Sequence, residues 1–191
     1  MSAAVVTIAL AFVGYLVTYL NGLRLAQRQE RLARVNRQLA DFYGPLHALT
    51  ATNQRMFQEF MARHARPDGR SPFQADVPPD EREKADWRLW AGSVFLPNIR
   101  SMRDIVVRHP DLLDEPGMPE VLLDLYAHVA GYEVTAARWE RGDFDEHLSV
   151  VPFPADALHR YAEESFARLQ AEQRALLGRR RPRQGRTARR R

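Results

Sequence analysis

From Ser2 to Leu23 the chain carries no charged residue, and Ala3–Leu20 within it (AAVVTIALAFVGYLVTYL) is apolar apart from two threonines, two tyrosines and a glycine. A helix needs about 20 apolar residues to cross the hydrocarbon core of a bilayer. Residues 1–23 therefore read as a transmembrane anchor. Tyr15 and Tyr19 lie toward its end, where amphipathic rings sit among headgroups. A cleaved signal peptide fits poorly, because no basic segment precedes the run and no small-residue cleavage site closes it. A buried soluble helix would not explain the abrupt change to Arg24, Arg28, Arg31, Arg34 and Arg37. Positive charge beside a span stays in the cytoplasm. The expected arrangement is a single pass through a plasma membrane, with the N-terminus outside and residues 24–191 cytoplasmic. Arg24, Arg28, Arg31 and Arg34 are then candidate contacts for anionic lipid, each worth about 1 kcal/mol near the surface.

The net charge of +4 conceals an asymmetry. Of the 28 basic residues, eight arginines fall in 179–191, leaving 20 against 24 acidic residues before them. The basic character belongs to a tail, not to a domain surface. Gly178, Pro182 and Gly185 break helices and like charges repel, so 179–191 reads as disordered. For a tethered chain the nearest polyanion is lipid, which makes Arg179, Arg180 and Arg181 further candidate lipid contacts. An acidic protein ranks second. Nucleic acid ranks last, because no aromatic residues interleave to stack bases. The chain has no cysteine, which removes disulfides and thiolate chemistry.

The remainder reads as all-α. Leu25, Leu32, Leu39 and Leu46 recur every seven residues, interleaved with Val35, Phe42 and Leu49 and continued by Asn53, Met56 and Phe60. This is a coiled-coil-like stripe. Its flank (Gln29, Asn36, Tyr43, Thr50, Phe57) lacks paired charges, which favours a bundle helix with a widening buried face. Gly44-Pro45 interrupts the stripe without changing its phase, so a kink or an in-phase restart is expected there. His64–Pro79 is a loop rich in Pro and Gly. Asp80 can cap the next helix. Gly142 can close the helix that begins near Pro119. The expected plan is a transmembrane anchor (1–23), a membrane-proximal stalk helix (24–43), an antiparallel helical bundle (44–178, with a loop at 64–79) and the tail (179–191).

Nothing in this plan names a reaction. P-loop, GxGxxG, HExxH, GxSxG and EF-hand patterns are missing, and no cofactor is implied. Three polar groupings remain. Asp124 and His128 share a helix face, as an oriented base or ligand pair, or as a core histidine held by a carboxylate. Asp143, Asp145 and His147 crowd the loop ERGDFDEH, as cation ligands or as a solvated acidic turn. Tyr43 and His47 flank the Gly-Pro pair, as a catalytic couple or as buried hydrogen-bonding partners. The structural reading is preferred for each, since a metal needs three or four ligands in defined geometry.

The segments NRQLADFYGPLHAL, HVAGYEVTAARWERGDF and VPFP, following an N-terminal span, resemble a group of small bacterial, largely actinobacterial, membrane-anchored helical proteins of unknown function. That resemblance implies a bacterial plasma membrane and carries no catalytic residue. The expected function is a membrane-anchored interaction or scaffold protein that binds another protein or itself. Two alternatives stand beside it. One is a membrane-surface or nucleic-acid adaptor acting through arginines. The other is a metal-dependent enzyme built on Asp124 and His128 or on the 143–147 loop.

Overall fold

A proline cannot donate a backbone hydrogen bond, and its ring presses on the carbonyl four residues earlier. At Pro45 the chain answers by widening instead of breaking. In the computed structural model, which describes the backbone of residues 3–73 and 76–178 and the side chains from Leu10 onward, α1 (Ala3–Arg37) runs through a π-helical segment, Gln38–Tyr43, into α2 (Gly44–His64). The Gly44 N–H donates to the Leu39 carbonyl, five residues back. A Cβ at residue 44 would overlap that carbonyl oxygen, so the widened turn requires glycine. Pro97 produces the same result. α3 (Glu81–Trp90) continues through a second π segment, Ala91–Phe95, into α4 (Leu96–Arg108), and the Leu96 N–H donates to Ala91. The kink expected at Gly44-Pro45 is a single wide turn, as is the one at Pro97, and each rod continues through it.

A short 3-10 turn, Pro110–Leu112, precedes α5 (Glu120–Glu140), and α6 (Ala155–Leu176) completes the fold. Among the described residues there is no strand. The caps follow the sequence. Asp80 Oδ1 accepts the Glu83 N–H at 2.8 Å, while Glu83 Oε2 accepts the Asp80 N–H at 2.9 Å, a capping box. Gly142 sits at φ +79° after α5, with Asp143 N–H on the Arg138 carbonyl and Gly142 N–H on that of Trp139. This is the left-handed closure that glycine allows.

The first rod packs on α6 and α4, α4 on α5, and α5 on α6. Contacts between the first rod and α6 run in opposite chain directions, from Arg28 with Leu176 to Thr50 with His159. The result is an antiparallel bundle. Val35, Phe42, Leu46, Met102, Leu122, Leu125, Leu158 and Leu169 are fully buried at its centre. Leu25 at the head of the sevenfold stripe is exposed; from Leu32 onward the stripe closes within the chain, with two adjustments. Tyr43 and Thr50, expected on a flank, are buried, whereas Leu39 and Leu49 are only partly covered. The extra residue of the π turn rotates the face that enters the core. The bundle also starts earlier than the expected stalk boundary at residue 43, since Val35 and Gln38 have no exposed surface.

Among the described residues no helix is long and apolar enough to cross a membrane. The run expected to do so begins at Ala3, and the side chains of residues 3–9 lie outside the described ones. From Leu10 onward that run stands clear of the bundle: Leu10, Phe12, Val13, Tyr15, Leu16 and Val17 are all exposed. The 179–191 tail, with Arg179, Arg180 and Arg181, lies outside the described residues as well.

Candidate functional site

The densest polar arrangement joins α5 to the loop that follows it. His128, Tyr132, Thr135 and Trp139 lie at i, i+4, i+7 and i+11, so one helix face carries four hydrogen-bond donors. Each meets a loop carbonyl. The His128 Nδ1 lies 2.7 Å from Val151 O, which fixes a proton on that nitrogen. The Tyr132 hydroxyl donates to His147 O at 3.2 Å, Thr135 Oγ1 to Leu148 O at 3.1 Å, and Trp139 Nε1 to Glu146 O at 2.8 Å. From α3, Trp87 Nε1 adds a 2.7 Å bond to the same His147 carbonyl. In return, Ser149 Oγ donates to His128 O at 3.0 Å. The loop thus lies on α5 as a strap. Gly131 makes room for it, because a Cβ there would overlap Ser149 Oγ and press on Val150.

This arrangement separates the residues that sequence spacing grouped. Asp124 is exposed, and the partner of the His128 imidazole is Val151, not a carboxylate. Burial lowers the His128 pKa, with the Val151 carbonyl opposing. Asp143 and Asp145 face solvent, and Asp143 Oδ1 accepts the Asp145 N–H at 3.2 Å. His147 turns inward against Phe73, with Nε2 3.5 Å from Arg88 Nη1. Burial lowers its pKa too. A recess of about 280 Å3 beside His147 is lined by Phe73, Pro79, Lys84 and Asp145, and neither His128 nor Asp124 reaches it. Among the described residues no three His, Asp or Glu side chains gather to hold a metal.

A second polar group lies where the π turn meets α6. The Tyr43 and Tyr161 hydroxyls are 3.3 Å apart, and Tyr161 donates to Glu115 Oε2 at 3.4 Å. Burial raises the pKa of both phenols. Beside them, fully buried Gln38 donates through Nε2 to Leu112 O at 2.8 Å and to Asp114 Oδ1 at 2.7 Å. Burial works against the Asp114 charge, but Gln38 and Arg168 prevail and hold its pKa below the usual value. His47 stands apart from Tyr43. Its ring stacks on Phe166 at 5.1 Å and on His159 at 5.8 Å, and His159 Nδ1 lies 3.2 Å from Thr50 Oγ1. These groups tie α6 and the 110–115 turn to the first rod. Tyr161, His159 and Gln38 were not legible as site residues in the sequence, because the partners described above sit 46 or more residues away.

Three of the stalk arginines also bond to the bundle. Arg28 donates through Nε to the Leu176 carbonyl at 2.8 Å, with Nη2 on the same oxygen. Arg31 grips Glu172 with two bonds. Arg34 Nη2 donates to Leu113 O at 3.2 Å. Of the four candidate lipid contacts on α1, these three bond to the bundle, and Arg24 is exposed. No family model matches the chain, and neither does any curated protein or solved structure.

Proposed function

We propose that the protein is a single-pass membrane-anchored helical scaffold, with the start of α1 as the anchor and the bundle as a cytoplasmic interaction module. One observation carries the reading. Between Leu10 and Leu25 the helix exposes large apolar side chains on every side, because at about 100° per residue Phe12, Val13, Leu10, Leu25 and Tyr15 fall near 0°, 100°, 160°, 220° and 300° around the axis and all are exposed. A helix that is apolar all round belongs in a core or in a membrane. Six such side chains left in water forgo on the order of 10 kcal/mol, comparable to the whole stability of a domain. His128, Tyr132, Thr135, Trp139 and Tyr161 donate to partners within the fold, which favours a structural module, while Gln38 Oε1 and His47 Nδ1 are buried with no hydrogen-bond partner.

The test is extraction of membranes from cells making the full chain. An anchored protein resists alkaline carbonate and floats with lipid after it. Changing Leu10, Phe12, Val13, Leu16 and Val17 to asparagine releases it. Full release of the unaltered chain as a soluble monomer would end the anchoring reading. Cross-linking in membranes that captures neither a second copy nor another protein would end the scaffold reading.

A further inference from the structure

We propose that the outer face of α5 pairs with the same face of a second copy, the two helices antiparallel; this names the partner in the scaffold reading above and rests on it. At about 100° per residue, Leu123, Ala127, Ala130 and Val134 fall within about 60° of one another around the helix. All four are exposed, Leu123 by 52% and Val134 by 59%. The opposite side of α5 holds Leu122, Leu125, Val129 and Tyr132 in the core. Val150 of the strap widens the outer face. It is 90% exposed and lies beside Gly131, between the turns that carry Ala127 and Val134. A soluble helix ordinarily turns a polar side to water, and α5 turns an apolar one.

The pattern of the face points to a second copy. A twofold contact needs a surface complementary to itself. The spacing from Leu123 to Ala127, Ala130 and Val134 reads the same in both directions about a midpoint between His128 and Val129. Two such faces laid antiparallel set Leu123 against Val134 and Ala127 against Ala130. The alanines at the centre let the helix axes come close. Charge repeats the symmetry with its sign reversed. Glu120 and Arg138 are equally far from Val129 and five full helical turns apart, so both line one edge of the face. Both are exposed, and neither forms an ion pair among the described residues. The antiparallel pair brings each Glu120 level with the other copy's Arg138. In a parallel pair the two would stay about 27 Å apart along the axis. The contact also has a direction. Arg34 and Gln38 bond the turn that leads into α5, so α5 starts at the end of the bundle where α1 enters and runs the same way as α1. The anchors of an antiparallel pair point away from each other, so anchored chains would join two facing bilayers.

The chain has no cysteine, so Leu123→Cys and Val134→Cys each give a single thiol at an exposed site. In detergent, a short bismaleimide should cross-link a mixture of the two full-length variants at least threefold more than either variant alone. Glu120→Arg in both chains should cut that yield at least threefold, and so should Arg138→Glu. Mixing Glu120→Arg chains with Arg138→Glu chains should restore it, because one copy then offers two arginines and the other two glutamates. Leu123→Cys chains that cross-link to themselves as well as to Val134→Cys chains would reveal a parallel contact and overturn the proposal. Indifference to the charge changes overturns it too. Absence of any cross-link between copies would leave the face to a different protein. That result ends this inference alone, since the scaffold reading falls only when no partner of any kind is captured in membranes. Vesicles carrying the unaltered chain with its bundle outward should cluster, as read by light scattering, and vesicles that carry it and stay dispersed overturn the proposal. Chains that pair in detergent and do not float with vesicles refute the anchoring reading and support the pairing.

Discussion

His128 is the first of the four α5 donors under the strap, with its imidazole buried, bonded to a backbone carbonyl and favoured in the neutral form. An imidazole in the unfolded chain titrates near 6.5. Below that pH the unfolded state takes up a proton that the folded state resists. The stability contributed by neutral His128 is therefore complete above about 6.5 and is lost as pH falls through the lower folded pKa. His147 shifts in the same direction, so the two add. The thermal midpoint should hold steady between pH 8 and 7 and fall toward pH 5.5, at about 1 kcal/mol for each unit of pKa difference per histidine. His128→Asn keeps a donor for Val151 and cannot titrate, so it should flatten part of that fall. An unaltered slope in the variant would show that the strap is not what responds to acid. Gly131 gives a second residue-scale expectation. Gly131→Ala forces a methyl group into Ser149 and Val150 and should cost about 1–3 kcal/mol by urea unfolding. Ser149→Gly in the same background should recover part of it.

At the scale of elements, much of the fold was legible. The Asp80 cap and the glycine closure at Gly142 depend on a few adjacent residues, and both are present, the cap as part of a reciprocal box with Glu83. The π turns were not visible. Leu39, Phe42, Leu46 and Leu49 keep sevenfold spacing across Gly44-Pro45, so proline announced a disturbance without its form. Gly44→Ala tests that form. The added Cβ meets the Leu39 carbonyl, a backbone atom that cannot swing away. The loss should reach about 1–3 kcal/mol, beyond the few tenths expected for a surface change in a helix. A neutral or stabilising effect would mean that the turn is an ordinary α-helical one. The strap was half legible. Its donors stand at helical spacing from His128 to Trp139, but their acceptors are loop carbonyls, which every residue offers. Sequence therefore pointed to side-chain partners, pairing His128 with Asp124 and Asp143 with His147, where the fold uses main chain.

At the scale of the whole molecule, the arginines after Leu23 and the topology they imply can be examined directly. Single cysteines placed at Ser2 and at Asp156, the latter exposed at the start of α6, should react oppositely with a membrane-impermeant thiol reagent in intact cells. Ser2→Cys is expected to label and Asp156→Cys to stay protected until the membrane is opened. The reverse pattern would overturn the orientation, and labelling of both would point to a chain outside the cell. Asp156→Cys should leave stability nearly unchanged, since the residue is exposed.

The unbroken passage from α1 through the π turn into α2 has a mechanical meaning. From Leu23 to His64 the rod is about 60 Å long, and no flexible joint intervenes. With α1 seated in a bilayer as proposed above, the rod would act as a lever whose fulcrum is the membrane surface. Spans tilt with bilayer thickness, commonly by about 20°. A change of about 10° in that tilt would sweep the far end of the bundle sideways by about 10 Å. The distance between the membrane and whatever meets the 65–79 loop would then be a readout of the lipid around the anchor, with no rearrangement inside the bundle.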